Sequence, residues 1–249
     1  MSTLVLIPSR LASTRFPNKP LADLGGKPMV VRVYEQALKA NCGAVYVAAG
    51  DEGIAAAVRA GGGQVVMTDA GLPNGSERIW QGVQRLMAQG VPQPEFIINA
   101  QGDEPLLPPE LITQAVAALQ ADPSVDVVTF AHEITDPSDI NNPTKVKVVT
   151  TRTGRALYFS RHAIPYGAAE AGLPLLRHIG FYGYRYAALK RYIETGEGKL
   201  ENVEKLEQLR GLELGLHYHI ITTHHEPIGV DTPADLEAVK RLMGLLQGA

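Results

Sequence analysis

Three cations stand close together near the start of the chain: Arg10, Arg15 and Lys19, in the run Pro8-Ser9-Arg10-Leu11-Ala12-Ser13-Thr14-Arg15-Phe16-Pro17-Asn18-Lys19-Pro20. Arginine forks match phosphate oxygens in pairs, and lysine supplies a compact point charge. Ser9, Ser13 and Thr14 add hydroxyl donors, and backbone N–H groups in such a loop can cradle an anion. Prolines at 8, 17, 20 and 28 stiffen the segment and lower the cost of ordering it around a ligand. Scattered cations are ordinarily a solvated basic loop. These follow directly on the apolar run 4–7, at the carboxyl end of a strand where open α/β sheets bind ligands. The P-loop pattern is not met, because Gly25-Gly26-Lys27 lacks the earlier glycine and runs into Pro28. The chemistry indicated is phosphate binding without a Walker motif.

Carboxylates come next. Asn99-Ala100-Gln101-Gly102-Asp103-Glu104-Pro105 follows another apolar run, which places Asp103 where a sheet edge opens. A carboxylate there can hold Mg²⁺, a hard ion that takes one or two carboxylates plus phosphate oxygens and water. Gly-Asp ahead of a proline is also ordinary turn chemistry. Gly229-Val230-Asp231-Thr232-Pro233 precedes a helical pattern, and a capping box or Asx-turn accounts for Asp231 or Thr232 without any ligand. Asn74-Gly75-Ser76-Glu77-Arg78 opens another helix, whose first N–H groups can face an anion or a base edge.

Later polar residues offer further ligand-binding chemistry. Arg161 can pair with a ligand carboxylate, while His178, Tyr182, Glu207 and Gln208 can hydrogen-bond hydroxyls. Plainer readings stand beside these: Tyr182 and Tyr184 alternate as strand residues, one of them as core packing, and Glu207 with Arg210 has the spacing of a surface ion pair on a helix. His217, His219, His224 and His225 have no accompanying cysteine and fit no zinc spacing. Cys42 reads as a small buried hydrophobe, and Ser160 with His162 lacks a nucleophile-elbow context.

The elements that must position these groups alternate. Strand-like runs at 4–7, 44–49, 64–67, 96–100 and 126–130 are separated by helical patterns at 29–40, 54–60, 74–87 and 110–119. This is the signature of a parallel, helix-covered sheet with right-handed crossovers. After about residue 132 strands at 146–149, 156–159 and 179–185 predict an antiparallel or mixed extension. Helices follow at 187–193 and 203–212, a strand at 217–222 and a last helix at 233–246. The expectation is an α/β chain of one domain, 1–249, with a strand-rich subregion at about 133–215. The totals fit: 249 residues, 45% hydrophobic and 20% charged. A net charge of −3 offers no general basic surface for nucleic acid. No apolar stretch reaches the roughly 18 residues of a membrane span, and one cysteine suits a reducing cytoplasm.

Ser-Arg-Leu-Ala-Ser-Thr-Arg-Phe-Pro-Asn-Lys-Pro-Leu-Ala with Gly-Gly-Lys-Pro-Met, Gln-Gly-Asp-Glu-Pro, Arg-His-Ile-Gly-Phe-Tyr-Gly-Tyr-Arg, Leu-Glu-Gln-Leu-Arg and Gly-Val-Asp-Thr-Pro occur in this order across nearly the whole chain. Together they resemble the 3-deoxy-manno-octulosonate (Kdo) cytidylyltransferases. Ser9, Asn18, Ser76 and Ala234 depart from the family's usual Ala, Gly, Thr and Glu; none of these changes removes a cation, and the one carboxylate lost, at Ala234, falls in the first turn of the last helix. The resemblance implies a Rossmann-like nucleotidyltransferase fold, and transfer of CMP from CTP to an acidic eight-carbon sugar for lipopolysaccharide biosynthesis. It implies Asp103 and Asp231 as Mg²⁺ ligands, with Arg10 and Lys19 beside them in catalysis. Pro8, Ser9, Arg10, Arg15, Lys19, Gly75, Ser76 and Arg78 would hold the nucleotide. Gln101, Arg161, His178, Tyr182, Glu207 and Gln208 would hold the sugar, and the protein would be a homodimer. A sialate or 8-amino-Kdo enzyme, and a nucleotide-sensing protein without catalysis, remain as alternatives.

Overall fold

The computed structural model describes residues 2–12, 15–168, 171–226 and 228–245. The chain forms two compact units, one of residues 1–116 with 227–249 and one of residues 117–226.

In the first unit each apolar run becomes a strand and each periodic segment a helix. The order is β1 (Thr3–Ser9), α1 (Met29–Lys39), β2 (Ala44–Ala49), α2 (Glu52–Ala60), β3 (Val65–Met67), α3 (Gly75–Ala88) and β4 (Phe96–Asn99). Helix α4 (Pro109–Ala121) then leads into the second unit. The four strands lie in the order β3-β2-β1-β4, all parallel. Phe96, Ile97 and Ile98 are all fully buried although they alternate between faces, as strands covered by helices on both sides require. The path runs from β1 through β2 to β3 and returns to β4 on the other flank of β1. That reversal opens a crevice beyond the carboxyl ends of β1 and β4.

The second unit holds β5 (Val127–Glu133), β6 (Lys147–Thr150), β7 (Ala156–Ser160), β8 (Leu176–Arg185), α5 (Tyr186–Glu194), α6 (Lys199–Glu204), α7 (Gln208–Glu213) and β9 (Tyr218–Thr222). Strand β5 pairs antiparallel with β8 and parallel with β9, and β6 pairs antiparallel with β7 and β8. The expected mixed extension is present. The single helix expected at 203–212 is not: α6 ends at Lys205, which turns left-handed at φ 54°, and α7 starts afresh. The break lets Arg210 reach back to Glu201, donating through Nε and Nη2 at 2.7 and 2.8 Å. Both partners are buried, so breaking the pair would strand a charge. Cys42 is half-buried rather than buried.

Helix α8 (Pro233–Leu242) belongs to the first unit. Its N-cap is Thr232, whose hydroxyl accepts from Asp235 N–H at 3.2 Å, while the Asp235 carboxylate accepts from Thr232 N–H at 2.8 Å. Leu236 and Val239 on α8 pack with Leu24, Met29 and Val230, and Phe16 from the cationic loop lies against the same cluster. Thr232→Ala removes the cap, and we expect a stability loss of about 1 kcal/mol in denaturant unfolding. A variant as stable as the wild type would show that the box does not anchor α8.

Candidate active site

The crevice at the switch point is an open cleft of about 770 Å³, within the range of small-molecule sites. Strand β1 delivers Pro8, Ser9 and Arg10 to it, and the following loop adds Arg15 and Lys19. The loop is tied down by Asp51 at the start of α2, whose carboxylate accepts from Leu11 N–H at 2.8 Å. Arg10 donates to the Leu72 carbonyl at 3.1 Å. Ser13 and Thr14 lie outside the described residues. From β4 come Gln101, Gly102 and Asp103. Gly102 passes so close to β1 that a Cβ there would stand 2.6 Å from the Pro8 carbonyl oxygen, so no other residue fits without moving backbone.

Helix α3 opens at the cleft through Gly75. Its cap, Asn74, takes the Glu77 N–H at 2.8 Å, and Ser76 lies buried in the first turn. One turn on, the buried Arg78 donates to Thr68 Oγ1 at 2.7 Å and to the Asp69 and Ala70 carbonyls at 3.0 and 3.2 Å. Burial first, and the neighbouring Arg10 charge second, hold the Arg78 pKa below its ordinary value. An anionic ligand would offset the repulsion between the two guanidinium groups. Ser9 Oγ is buried at the cleft without a hydrogen-bond partner, a polar group placed for something other than the protein.

Asp103 and Asp231 meet at this cleft. The Lys19 ammonium donates to Asp103 Oδ2 at 3.0 Å and to Asp231 Oδ1 at 3.2 Å. These two oxygens are therefore no farther apart than the sum of those distances. Arg15 Nη1 reaches the other oxygen of Asp231 at 3.1 Å. Behind them Val230 N–H donates to the Asp103 carbonyl at 2.9 Å, fixing one segment against the other. Thr232 and Asp235 do the capping, which leaves the Asp231 side chain to the cleft. Two hard oxygen donors already converging on one cation suit Mg²⁺, which completes its shell with phosphate oxygens and water. Among the described residues no cluster of three or more His, Cys, Asp or Glu side chains forms, so the protein's share would be these two.

Five of the residues expected to hold sugar lie in the second unit. The Arg161 guanidinium donates to three main-chain carbonyls, Glu204 at 2.7, Pro143 at 2.9 and Lys205 at 3.1 Å, so a ligand carboxylate would share it with these. His178 is buried with Nε2 at 2.9 Å from the Thr129 hydroxyl, and that hydroxyl also faces the Ile179 and Phe181 carbonyls. The hydroxyl proton goes to a carbonyl, leaving its oxygen to accept from the ring N–H. Tyr182 lies against His178, ring centroids 5.6 Å apart, and stacks on Tyr184. Glu207 is exposed and Gln208 buried at the start of α7. Asp51, Asn74 and Gly102 are positioning residues that the sequence reading did not select. Only Asn74 leaves a local trace, a capping residue just ahead of a helical pattern.

A parallel sheet with a cationic loop beyond β1 and a carboxylate beyond β4 has the parts that a nucleotidyltransferase needs. The sequence pattern of the family described as Cytidylyltransferase matches residues 4–219. Over 245 residues the chain is 49% identical to a 3-deoxy-manno-octulosonate cytidylyltransferase of Rhodopseudomonas palustris, covering 97% of each chain. It is 44% identical to the protein of that name in Paramagnetospirillum magneticum, covering 98% of each. The solved structure of a CMP:2-keto-3-deoxy-manno-octonic acid synthetase complexed with CTP superposes with a TM-score of 0.91 at 36% identity, covering 98% of this chain and 99% of that one. The chain belongs to the 3-deoxy-manno-octulosonate cytidylyltransferase family.

Burial pushes the His178 pKa down to about 3, so the folded protein keeps this ring neutral where the unfolded chain, at the ordinary value of 6.5, protonates it. The unfolded state then binds the extra proton between those two values. His178 therefore contributes stability fully above pH 6.5 and progressively less as pH falls below it. Between pH 7 and pH 5 the loss is about 2 kcal/mol. His178→Gln should shrink the stability difference between these two pH values by that amount in urea unfolding. An unchanged difference would show that the ring titrates normally.

Proposed function

We propose that this protein transfers CMP from CTP to 3-deoxy-manno-octulosonate, releasing pyrophosphate, and so activates that sugar for lipopolysaccharide biosynthesis. The observation that carries the reading is the meeting of Asp103 and Asp231 around Lys19 in a cleft lined by Arg10, Arg15 and Arg78. Family membership supplies the substrates. In the reaction the anomeric hydroxyl oxygen of the sugar bonds to the α-phosphorus, the bond from that phosphorus to the bridging oxygen breaks, and pyrophosphate leaves with the electron pair. The hydroxyl proton passes to water. Such transfer needs alignment and charge neutralisation rather than a covalent enzyme intermediate.

Arg10, Arg15 and Lys19 take the triphosphate and steady the departing pyrophosphate. Arg78 stands at the first turn of α3, where Gly75 and Ser76 meet the nucleoside, and Pro8, which packs beside Gly75, and Ser9 complete that side of the cleft. The family resemblance gives Gln101 in the first unit, and Arg161, His178, Tyr182, Glu207 and Gln208 in the second, as candidates for binding the sugar. Mg²⁺ held by Asp103, Asp231 and phosphate oxygens would polarise the phosphate and lower the pKa of the attacking hydroxyl. The same reading carries a cytoplasmic homodimer. Its support is a single cysteine and the exposed apolar Leu157, Tyr166, Leu173 and Val203 of the second unit.

Asp103→Asn and Asp231→Asn should each lower kcat about 100-fold or more in a pyrophosphate-release assay with CTP, Kdo and Mg²⁺, with an unchanged circular dichroism spectrum. Near-normal turnover in both would remove the carboxylates from the chemistry. The wild type should show its largest kcat/KM with Kdo when 8-amino-Kdo and sialate are run alongside. CTP binding with no sugar-dependent pyrophosphate release would make the protein a nucleotide sensor instead. In sedimentation equilibrium the mass should be twice the chain's 26.8 kDa; a monomer at micromolar concentration would end the dimer reading.

A further inference from the structure

Lys19 holds both carboxylates at once. Its ammonium lies 3.0 Å from Asp103 Oδ2 and 3.2 Å from Asp231 Oδ1, with its side chain only 14% exposed. Arg15 covers the second oxygen of Asp231 at 3.1 Å. Two negative and two positive charges therefore close on one another inside the cleft. The oxygens that Lys19 engages are those the proposed function gives to a divalent cation. An ammonium and a divalent cation cannot share them, since like charges at such distances repel strongly in a partly desolvated site. We propose that Lys19 is a latch that competes with a divalent cation for Asp103 and Asp231, and that an arriving triphosphate opens it.

The phosphate oxygens offer Lys19 and Arg15 new anionic partners, and each cation that moves to them uncovers a carboxylate oxygen. Nucleotide and metal then favour each other through the protein, beyond their direct contact. Such coupling must be reciprocal. It also makes the order productive: the metal enters strongly only when the phosphate it must act on is already present. Arg10 and Arg78 take no part in the latch, because their hydrogen bonds described above go to carbonyl and hydroxyl oxygens.

The inference rests on the assignment of Asp103 and Asp231 as metal ligands, and the test separates the two. Mn²⁺ binding to the full-length protein is measured without nucleotide by the loss of the free-ion paramagnetic resonance signal. Lys19→Met and Lys19→Gln should each tighten Mn²⁺ binding about tenfold or more, and adding Asp103→Asn should abolish the gain. Arg10→Met removes the same charge from the same cleft without uncovering a carboxylate oxygen, so its gain should be several times smaller. Equal gains in Arg10→Met and the Lys19 variants would reduce the effect to general electrostatics and overturn the latch. So would Lys19 variants that bind no tighter than the wild type, while Asp103→Asn still raises the Mg²⁺ concentration needed for half-maximal pyrophosphate release; in that case the carboxylates keep their role. If Asp103→Asn moves neither the Mn²⁺ affinity nor that Mg²⁺ concentration, both assignments fall.

Discussion

The ammonium of Lys19 sits between two carboxylates that the chain delivers from 84 and 212 residues away. A lysine so little exposed must have its charge matched, since an unpaired cation out of water is costly. Meeting that need twice from distant segments constrains much of the first unit. Strand β4 must end beside β1, which Gly102 permits by allowing the chains to approach without a side chain between them. The segment before α8 must lie against Asp103, which the Val230 to Asp103 backbone bond achieves. The core cluster under Leu24, Met29 and Leu236 then holds that segment and the loop carrying Phe16 in one place. Capping is the last condition. Because Thr232 and Asp235 satisfy the start of α8 between themselves, Asp231 has no structural duty there and turns to the cleft.

Much of this frame was legible in the sequence. Apolar runs gave β1, β2 and β4 within one or two residues, and the cations after β1 marked the cleft because strand ends in parallel sheets open into crevices. Asp103 was found the same way. Asp231 was not: its residue type suits a cap as well as a ligand, and Thr232 beside it suits a cap equally. Spacing has no means to divide two roles between adjacent residues. The resemblance chose Asp231, and the coordinates supply the reason in the cap that its neighbours form. Asp51 and Gly102 escaped for another cause. One serves a backbone N–H forty residues earlier and the other a carbonyl on a neighbouring strand, contacts that leave no local pattern.

The second unit shows what residue type leaves undecided. An arginine there can serve an acidic sugar or be held by acceptors of its own chain. Arg161 meets three carbonyls of its own chain, and the buried Arg210 is clasped by Glu201 with its guanidinium 4.6 Å above the Tyr192 ring. Buried cations need acceptors, and a sequence does not say whether these come from the protein or from a ligand. The broken helix has the same root: periodicity through 203–212 is consistent with one continuous helix, but the Glu201–Arg210 contact requires a turn at Lys205.

The cleft therefore contains two kinds of cation. Arg10 and Arg78 donate to neutral oxygens; Asp51 and Asp69 offset part of the Arg78 charge from a distance, and what is left stands as a positive field in a chain whose net charge is −3. Arg15 and Lys19 face carboxylates and contribute little field until something separates them from those partners. An incoming polyanion is drawn first by the standing charge, which raises its local concentration. It then meets cations whose existing partners it can replace. A cleft of four uncancelled cations would attract more strongly, but it would hold pyrophosphate as tightly as substrate. If Lys19 is the latch proposed above, dividing the charge would let the two carboxylates reclaim Arg15 and Lys19 when the phosphate chain departs, so the same ion pairs would favour release of the product.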